Sequence, residues 1–290
     1  MRHAYTTIVM ENTTHNRIWF ITGISSGLGQ ALAQAVLDSG DHVIGTFRDA
    51  GQAAAFNAWH AGRAEAIVMD LTRPGDISAA FATLATRHGR LDVLVNNAGF
   101  GFGGAVEEAS LEEARAVMEA NFFGVLQVTQ AALPIFRRQG KGHILQISSH
   151  GGFRALPGFG IYNASKFALE GMSEALAGEL APLGIRLTIV EPGPFRTGFA
   201  GAGFRMAEQE IADYAGSAGQ FRQRIKAVHG QQEGDPHKAA QALVALVHAG
   251  EAPLRLPLGK VALVSMQAKL DSVQRDLAWG RGIAESVVFD

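Results

Sequence analysis

From residue 17 onward, short runs of β-branched and aromatic residues alternate with longer stretches whose apolar positions recur every three to four residues. The runs at 17–22, 42–46, 66–69, 93–96, 143–148 and 186–191 predict strands, and the segments at 27–39, 74–88, 111–139 and 162–183 predict helices. Apolar strands separated by helices of this length imply βαβ units around a parallel sheet buried on both faces. No break in composition precedes residue 195, and no repeat is evident, so a single doubly wound α/β domain over 17–290 is expected. Between 195 and 236 the pattern loosens into glycines and scattered charges, with weak helical spacing at 206–214 and 220–228. A long irregular stretch in a compact domain reads as a lid over a substrate site or as a surface excursion. A helix at 237–248, a strand at 254–258 and a helix at 261–279 close the chain. The last carries Leu263, Met266, Leu270, Val273 and Leu277 on one stripe.

Composition narrows the function. Of 290 residues 47% are hydrophobic and 18% charged, enough for a large core and far from a disordered composition. The formal net charge of −2 offers no general attraction to nucleic acid or anionic membrane. The chain has no cysteine, which removes disulfides, thiolate metal sites and cysteine nucleophiles, and agrees with a reducing cytoplasm. No metal site is expected. Neither a secretory signal nor an 18-residue apolar span is present, so membrane insertion is not expected. Residues 1–16 read as a flexible extension.

The first strand, IWFIT, runs directly into GISSGLG and then a helix. Gly23, Gly27 and Gly29 allow a sharp turn and close approach of a pyrophosphate, while the helix start offers free N–H groups and its positive dipole end. Gly23, Ser25, Ser26, Gly27 and Leu28 are therefore candidate cofactor contacts in a Rossmann-type dinucleotide fold. After the second strand the text reads FRDA: Arg48 suits a 2′-phosphate and favours NADP(H) over NAD(H), while Asp49 would suit a ribose hydroxyl or cap the next turn. Asp70 and Leu71, at the end of the third strand, are candidates for the adenine side; Asp70 serves equally well as a cap or turn residue.

Together TGISSGLG, DVLVNNAG, Asn121, ISS, YNASK and EPGPFRT make the chain resemble the short-chain dehydrogenase/reductase family over residues 18–198, in its variety with TGxxxGxG and YxxxK. Hydroxysteroid-, retinol- and bacterial ketoreductase-type members are similar. The resemblance implies a catalytic tetrad of Asn121, Ser149, Tyr162 and Lys166, with Ser149 chosen over Ser148 by its spacing of 13 to the tyrosine. It implies that Asn97, Ala98 and Gly99 line the adenosine ribose, that Pro192, Gly193 and Thr197 lie on the nicotinamide side, and that Tyr162 and Lys166 also touch the cofactor. It further implies a homodimer or homotetramer packed through the helices at 111–139 and 162–183.

The residue types suit hydride chemistry. Reducing a carbonyl creates an alkoxide that must be protonated, and the reverse reaction needs a base. An unperturbed phenol, with a pKa of about 10, stays protonated near neutrality and cannot serve as a base there; bringing it to about 7 takes roughly 4 kcal/mol, expected from Lys166 one helical turn away. Ser149 would donate to the substrate oxygen, and Asn121 would anchor a water leading from Lys166 to solvent. Phe100, Phe102, Phe153, Phe159 and Phe195 follow strand ends and suggest walls for an apolar or aromatic small-molecule substrate, with His150 as a further lining residue. The expected activity is interconversion of a secondary alcohol with a ketone or aldehyde. A non-catalytic, nucleotide-sensing regulator on the same fold is the alternative, and a Ser149–His150 hydrolase is a third reading. Adjacent residues in a strand point apart, which weighs against the last.

Overall fold

The computed structural model describes residues 16–59 and 62–289. Apart from Asn16, the extension expected at 1–16 lies outside the described residues. Seven strands form one parallel sheet: β1 (Ile18–Ile21), β2 (His42–Phe47), β3 (Ala64–Val68), β4 (Val93–Asn96), β6 (Gly142–Ile147), β7 (Ile185–Pro192) and β9 (Arg255–Leu258), in the order β3-β2-β1-β4-β6-β7-β9. Alternate side chains of each strand enter separate cores. Phe20, Ile44, Leu94 and Ile144 pack in one, under α3 (Pro74–Arg87), α5 (Gly124–Gln139) and α7 (Gly160–Leu180). Trp19, Ile21, Val43 and Leu145 pack in the other, under α1 (Gly27–Asp38) and α9 (Pro236–Ala249). Both faces are thereby covered, as the uninterrupted apolar strands require. The order reverses between β1 and β4, which opens a crevice at their carboxyl ends.

Four local features depart from the periodicity. A helix absent from the sequence reading, α2 (Ala50–Trp59), follows β2 and is capped by the Asp49 carboxylate, which accepts from the Gln52 amide at 2.8 Å. The helix expected at 111–139 is two helices, α4 (Leu111–Met118) and α5, joined by a π turn at Glu119–Phe123. Weak helical spacing at 206–214 resolves instead into β8 (Phe204–Met206), paired in parallel with β5 (Gly101–Gly103), and a 3₁₀ turn at Ala212–Tyr214. Last, the stripe on α10 (Lys260–Glu285) faces solvent: Leu263 is 57% exposed and Leu277 66%. The helices expected at 220–228 and 237–248 are present as α8 (Gln220–Val228) and α9. No helix among the described residues is long and apolar enough to cross a membrane.

Candidate active site

The loop from β1 to α1 has the form a dinucleotide pyrophosphate requires. Gly23 (φ +68°) and Gly27 (φ +64°) adopt left-handed backbone, and a Cβ on Gly23 would stand 2.8 Å from the Cβ of Ala98. Ser26 is the extended N-cap of α1, and its side chain makes no cap hydrogen bond. The first-turn amides are therefore left to whatever occupies the turn. Asn97 braces this loop rather than facing out of it: its Nδ2 donates to the carbonyls of Thr22 and Gly23, both at 2.9 Å. The Thr22 hydroxyl accepts from the Asn97 and Ala98 amides at 2.9 and 3.0 Å. Thr197 reaches the same loop, 3.4 Å from where a Gly27 Cβ would be. Gly193 extends the sheet by donating to Leu258 O at 2.8 Å, while Pro192 ends β7. These residues fit a nicotinamide dinucleotide.

At the adenine end, Arg48 is exposed just past β2 and Asp49 is committed to its cap. Asp70 makes a turn of its own, accepting from the Thr72 amide and hydroxyl at 2.9 and 2.8 Å. The Thr72 amide bond is the main reason its carboxyl sits below the ordinary range, with Arg73 and Arg48 adding to it. Leu71 lies in the core, its carbonyl 2.7 Å from where a Gly124 Cβ would be.

The tetrad residues come together from three places: the π turn, the junction of β6 with the helix after it, and α7. Ser149 follows β6 and caps the short helix α6 (His150–Phe153), accepting from the Gly151 amide at 3.0 Å. Tyr162 and Lys166 lie one turn apart on α7, both buried. The Ser149 hydroxyl lies beside the phenol of Tyr162 and favours its ionised form, and Lys166 Nζ donates to Ile147 O at 2.8 Å. Asn121 stands in the π turn, where the extra residue per turn swings it inward. Its Nδ2 donates to Phe100 O at 2.9 Å and Ser165 Oγ at 3.2 Å, and its Oδ1 accepts from the Phe100 amide at 3.0 Å. Ser165 in turn donates to Tyr162 O at 2.7 Å. Asn121 thus ties the loop after β4 to the catalytic turn of α7.

The electrostatics of this site differ from the expectation that Lys166 draws Tyr162 toward neutrality. Burial pushes the phenol up to about 12, against the opposing effect of Ser149. Burial likewise brings Lys166 down to about 8, opposed by Glu170. Desolvation outweighs the pairing because the ammonium, 6.0 Å from the Tyr162 ring centroid, is spent on a backbone carbonyl. Behind Lys166 lies a polar group that spacing alone does not reveal. Glu170 and Glu191, both buried, lie 3.4 and 3.6 Å from Arg255 Nε. Burial is the main cause that raises both carboxyls, Glu191 to about 8.

The apolar wall differs in part from the expected one. Phe159 stacks on Tyr162 with centroids 4.2 Å apart, and Phe102 is buried in the same cluster, which Phe100 borders. Phe153 and Phe195 are not part of it: Phe153 lies under Arg255, and Phe195 packs against Gly234. Local spacing put them beside strand ends, but their loops turn toward β9 and α9. His150 points away from Ser149 and its Nδ1 meets Ser265 Oγ at 3.3 Å, so the Ser–His pair of a hydrolase is absent. In place of Phe153 and Phe195 the segment after β7 supplies three rings missed by the sequence reading. Phe199 lies edge-on to Tyr162 at 5.9 Å, and Phe204 and Phe221 flank Phe159 at 5.7 and 4.9 Å. A signal existed in the recurrence of phenylalanine at 195, 199, 204 and 221 within a glycine-rich stretch.

The segment after β7 is clipped to the loop after β5 by a buried ion pair. Glu108, after β5, accepts from Arg222 Nη2 at 2.7 Å and from the amides of Ala105 and Ile211 at 2.7 and 3.0 Å. Its carboxyl lies below the ordinary range: burial alone would raise it, and the Ile211, Arg222 and Ala105 donors outweigh that.

Comparison with known proteins agrees with this geometry. A family model described as short chain dehydrogenase matches residues 17–207. A 3-ketodihydrosphingosine reductase of Bacteroides thetaiotaomicron is 37% identical over 251 residues, which are 86% of this chain and 90% of that protein. A short-chain dehydrogenase from Streptomyces avermitilis superposes with a TM-score of 0.88 at 40% identity, covering 94% of this chain and 100% of that one. A 3-ketoacyl-(acyl-carrier-protein) reductase from Brucella melitensis, solved with NADH, aligns with a TM-score of 0.71 at 27% identity over 85% of this chain and 98% of its own. The matched model spans the turn after β1 and all of Asn121, Ser149, Tyr162 and Lys166, and the chain belongs to the short-chain dehydrogenase/reductase family of oxidoreductases.

Proposed function

We propose that this chain is an NADP-preferring oxidoreductase that interconverts a secondary alcohol with a ketone or aldehyde, working chiefly as a reductase of apolar carbonyl compounds in the cytoplasm. The observation that carries the reading is the convergence of Ser149, Tyr162 and Lys166 in one buried site at the carboxyl ends of β4 and β6. A bound nicotinamide dinucleotide supplies or accepts the hydride. Tyr162 holds its proton firmly in the resting site, the form needed to protonate an alkoxide as a carbonyl is reduced. Ser149 donates to the same oxygen as negative charge grows there. Lys166, charged below about pH 8, stabilises the phenolate left behind. Asn121 keeps the loop after β4 against α7.

Arg48 favours NADP because Asp49 is spent as a cap, leaving the guanidinium as the exposed charged group at the ribose position. Phe159, Phe199, Phe204 and Phe221 form a wall suited to an aliphatic chain or aromatic ring. The ketone substrate named for the Bacteroides relative supports a long-chain ketone as the first compound to assay. Half-exposed Phe123 and Phe167 favour a homodimer or homotetramer through α5 and α7. Tyr162→Phe tests the mechanism: turnover falls by about 10²–10⁴-fold while NADPH still binds. Turnover at the wild-type rate overturns it and favours the nucleotide-sensing alternative.

A further inference from the structure

Helix α10 runs 26 residues, yet only Ala262 and Ser265 within it are buried. Beyond Ser265 it leaves the domain, and a lone helix of that length is marginal in water without a covered face. Five of its large apolar residues share one seam, while Val261, Val264, Trp279 and Ile283 lie off it. Leu263, Met266, Leu270, Val273, Leu277, Gly280 and Ala284 follow one another at alternating steps of three and four, the a and d positions of three successive heptads and the a position of a fourth. Leu263, Leu270, Val273 and Leu277 on this seam are 57%, 51%, 38% and 66% exposed.

We propose that α10 pairs with α10 of a second copy of this chain in an antiparallel two-stranded coiled coil. Three properties of the stripe select this occupant and this direction. First, antiparallel pairing about a two-fold axis between residues 271 and 272 sets Leu263 opposite Gly280, Met266 opposite Leu277, and Leu270 opposite Val273, so that the glycine of the seam faces a large side chain. Around Gly280 nothing lies within 4 Å of where a Cβ would be, so the hole for the Leu263 knob is open. Parallel pairing would instead set Gly280 on Gly280 and leave voids. Second, the same register places Lys269 beside Asp276 of the other copy, twice by symmetry, and Gln267 beside Gln274. One like-charged pair arises, Lys260 with Arg281 at the ends of the rod, where Arg281 already meets Glu285 at 3.4 Å. Third, a helix of about 39 Å keeps the two domains at opposite ends of the rod, clear of each other. The helix carries four cations against three anions, too even a balance for an anionic membrane surface to be the partner.

The absence of native cysteine makes the test clean. Leu263→Cys and Gly280→Cys are made separately in the full chain, mixed in equal amounts and oxidised. The expected result is a covalent dimer in the mixture and almost none in either variant alone. Leu263→Cys linking to itself, or no linkage in the mixture, overturns the proposal. Sedimentation equilibrium of Leu270→Glu guards against local unfolding, since that side chain touches no part of the core. Its mass should halve, or its dissociation constant rise about tenfold or more, with the melting temperature and NADPH binding retained. An unchanged mass, or co-sedimentation of the wild type with phosphatidylcholine–phosphatidylglycerol vesicles in place of self-association, overturns it as well. The cross-link and the sedimentation mass do not depend on the enzymatic reading.

Discussion

Replacing Arg222 by Met should loosen the segment after β7, the lid of the proposed reading, without unfolding the sheet. Arg222 is held against Glu108 at 2.7 Å, with side chains 10% and 1% exposed. Removing one partner of a buried pair costs about 3–5 kcal/mol. Glu108 keeps two backbone donors, from Ala105 and Ile211, so the lower end applies here. A loss of ~3 kcal/mol corresponds to roughly a hundredfold shift in the closed-to-open ratio. Amide hydrogen exchange reads this directly. The Ala207 amide bonds Gly103 O and the Ile211 amide bonds Glu108, so both should exchange about a hundredfold faster, while amides of β1 and β4 stay protected. KM for an apolar ketone should rise, because the rings against Phe159 ride on the same segment. The double variant Glu108→Gln/Arg222→Met should lose less than the sum of the singles, since no unpaired charge then remains buried. Acid should mimic the effect: Glu108 lies below its ordinary pKa, so its contribution is present above that value and is lost as pH falls through the depressed one. Unchanged exchange at Ala207 and Ile211, or loss of protection spreading evenly into β1 and β4, would refute the idea that the lid is a separate unit held by this pair.

Two further outcomes test the charges around the site. Glu191, raised to about 8 by burial, binds a proton more tightly folded than unfolded, so its stabilisation is present below about pH 4.5 and is lost as pH rises through 8. Glu191→Gln should therefore flatten the dependence of melting temperature on pH in that window and raise the melting temperature at pH 8.5; a variant no more stable than the wild type there would contradict the assignment. Arg48→Ala should weaken NADPH by about tenfold or more and leave NADH nearly unchanged, as read by nicotinamide fluorescence titration; equal loss for both cofactors would remove Arg48 as the 2′-phosphate reader.

The parallel sheet and the phosphate turn were legible because their determinants are local. A glycine needed at φ +64° and a tyrosine one turn from a lysine are written within a few residues. What escaped depends on distant partners or on small changes in helical winding. The π turn at Glu119–Phe123 leaves composition untouched, so 111–139 reads as one helix although the turn aims Asn121. Helix α2 is alanine-rich with no apolar face, and the cap that starts it was also readable as a ribose ligand. Strand β8 exists because β5, about a hundred residues earlier, offers it an edge, and the glycine at 101 lets the Phe204 and Phe199 rings lie across that edge. Glu108 and Arg222, 114 residues apart, have no shared motif that would pair them.

Burial ties the lid to the chemistry. Tyr162 is 4% exposed because Phe159 covers one face of its ring and Phe199, carried by the segment after β7, meets it edge-on. The same rings that offer an apolar wall therefore also desolvate the phenol and drive its pKa up. A substrate carbonyl reaching Ser149 and Tyr162 must displace or slide along Phe199, and in doing so it puts a polar oxygen where a ring stood. Opening the lid then has two consequences that act together: it admits substrate, and it rehydrates the phenol and lowers its pKa toward 10. A variant that holds this segment open should accordingly lower the Tyr162 pKa read by ultraviolet difference titration of the phenolate, whereas weakening the wall alone would change KM and leave that titration in place. The separation of those two responses decides whether the aromatic cluster only binds substrate or also sets the acidity of Tyr162.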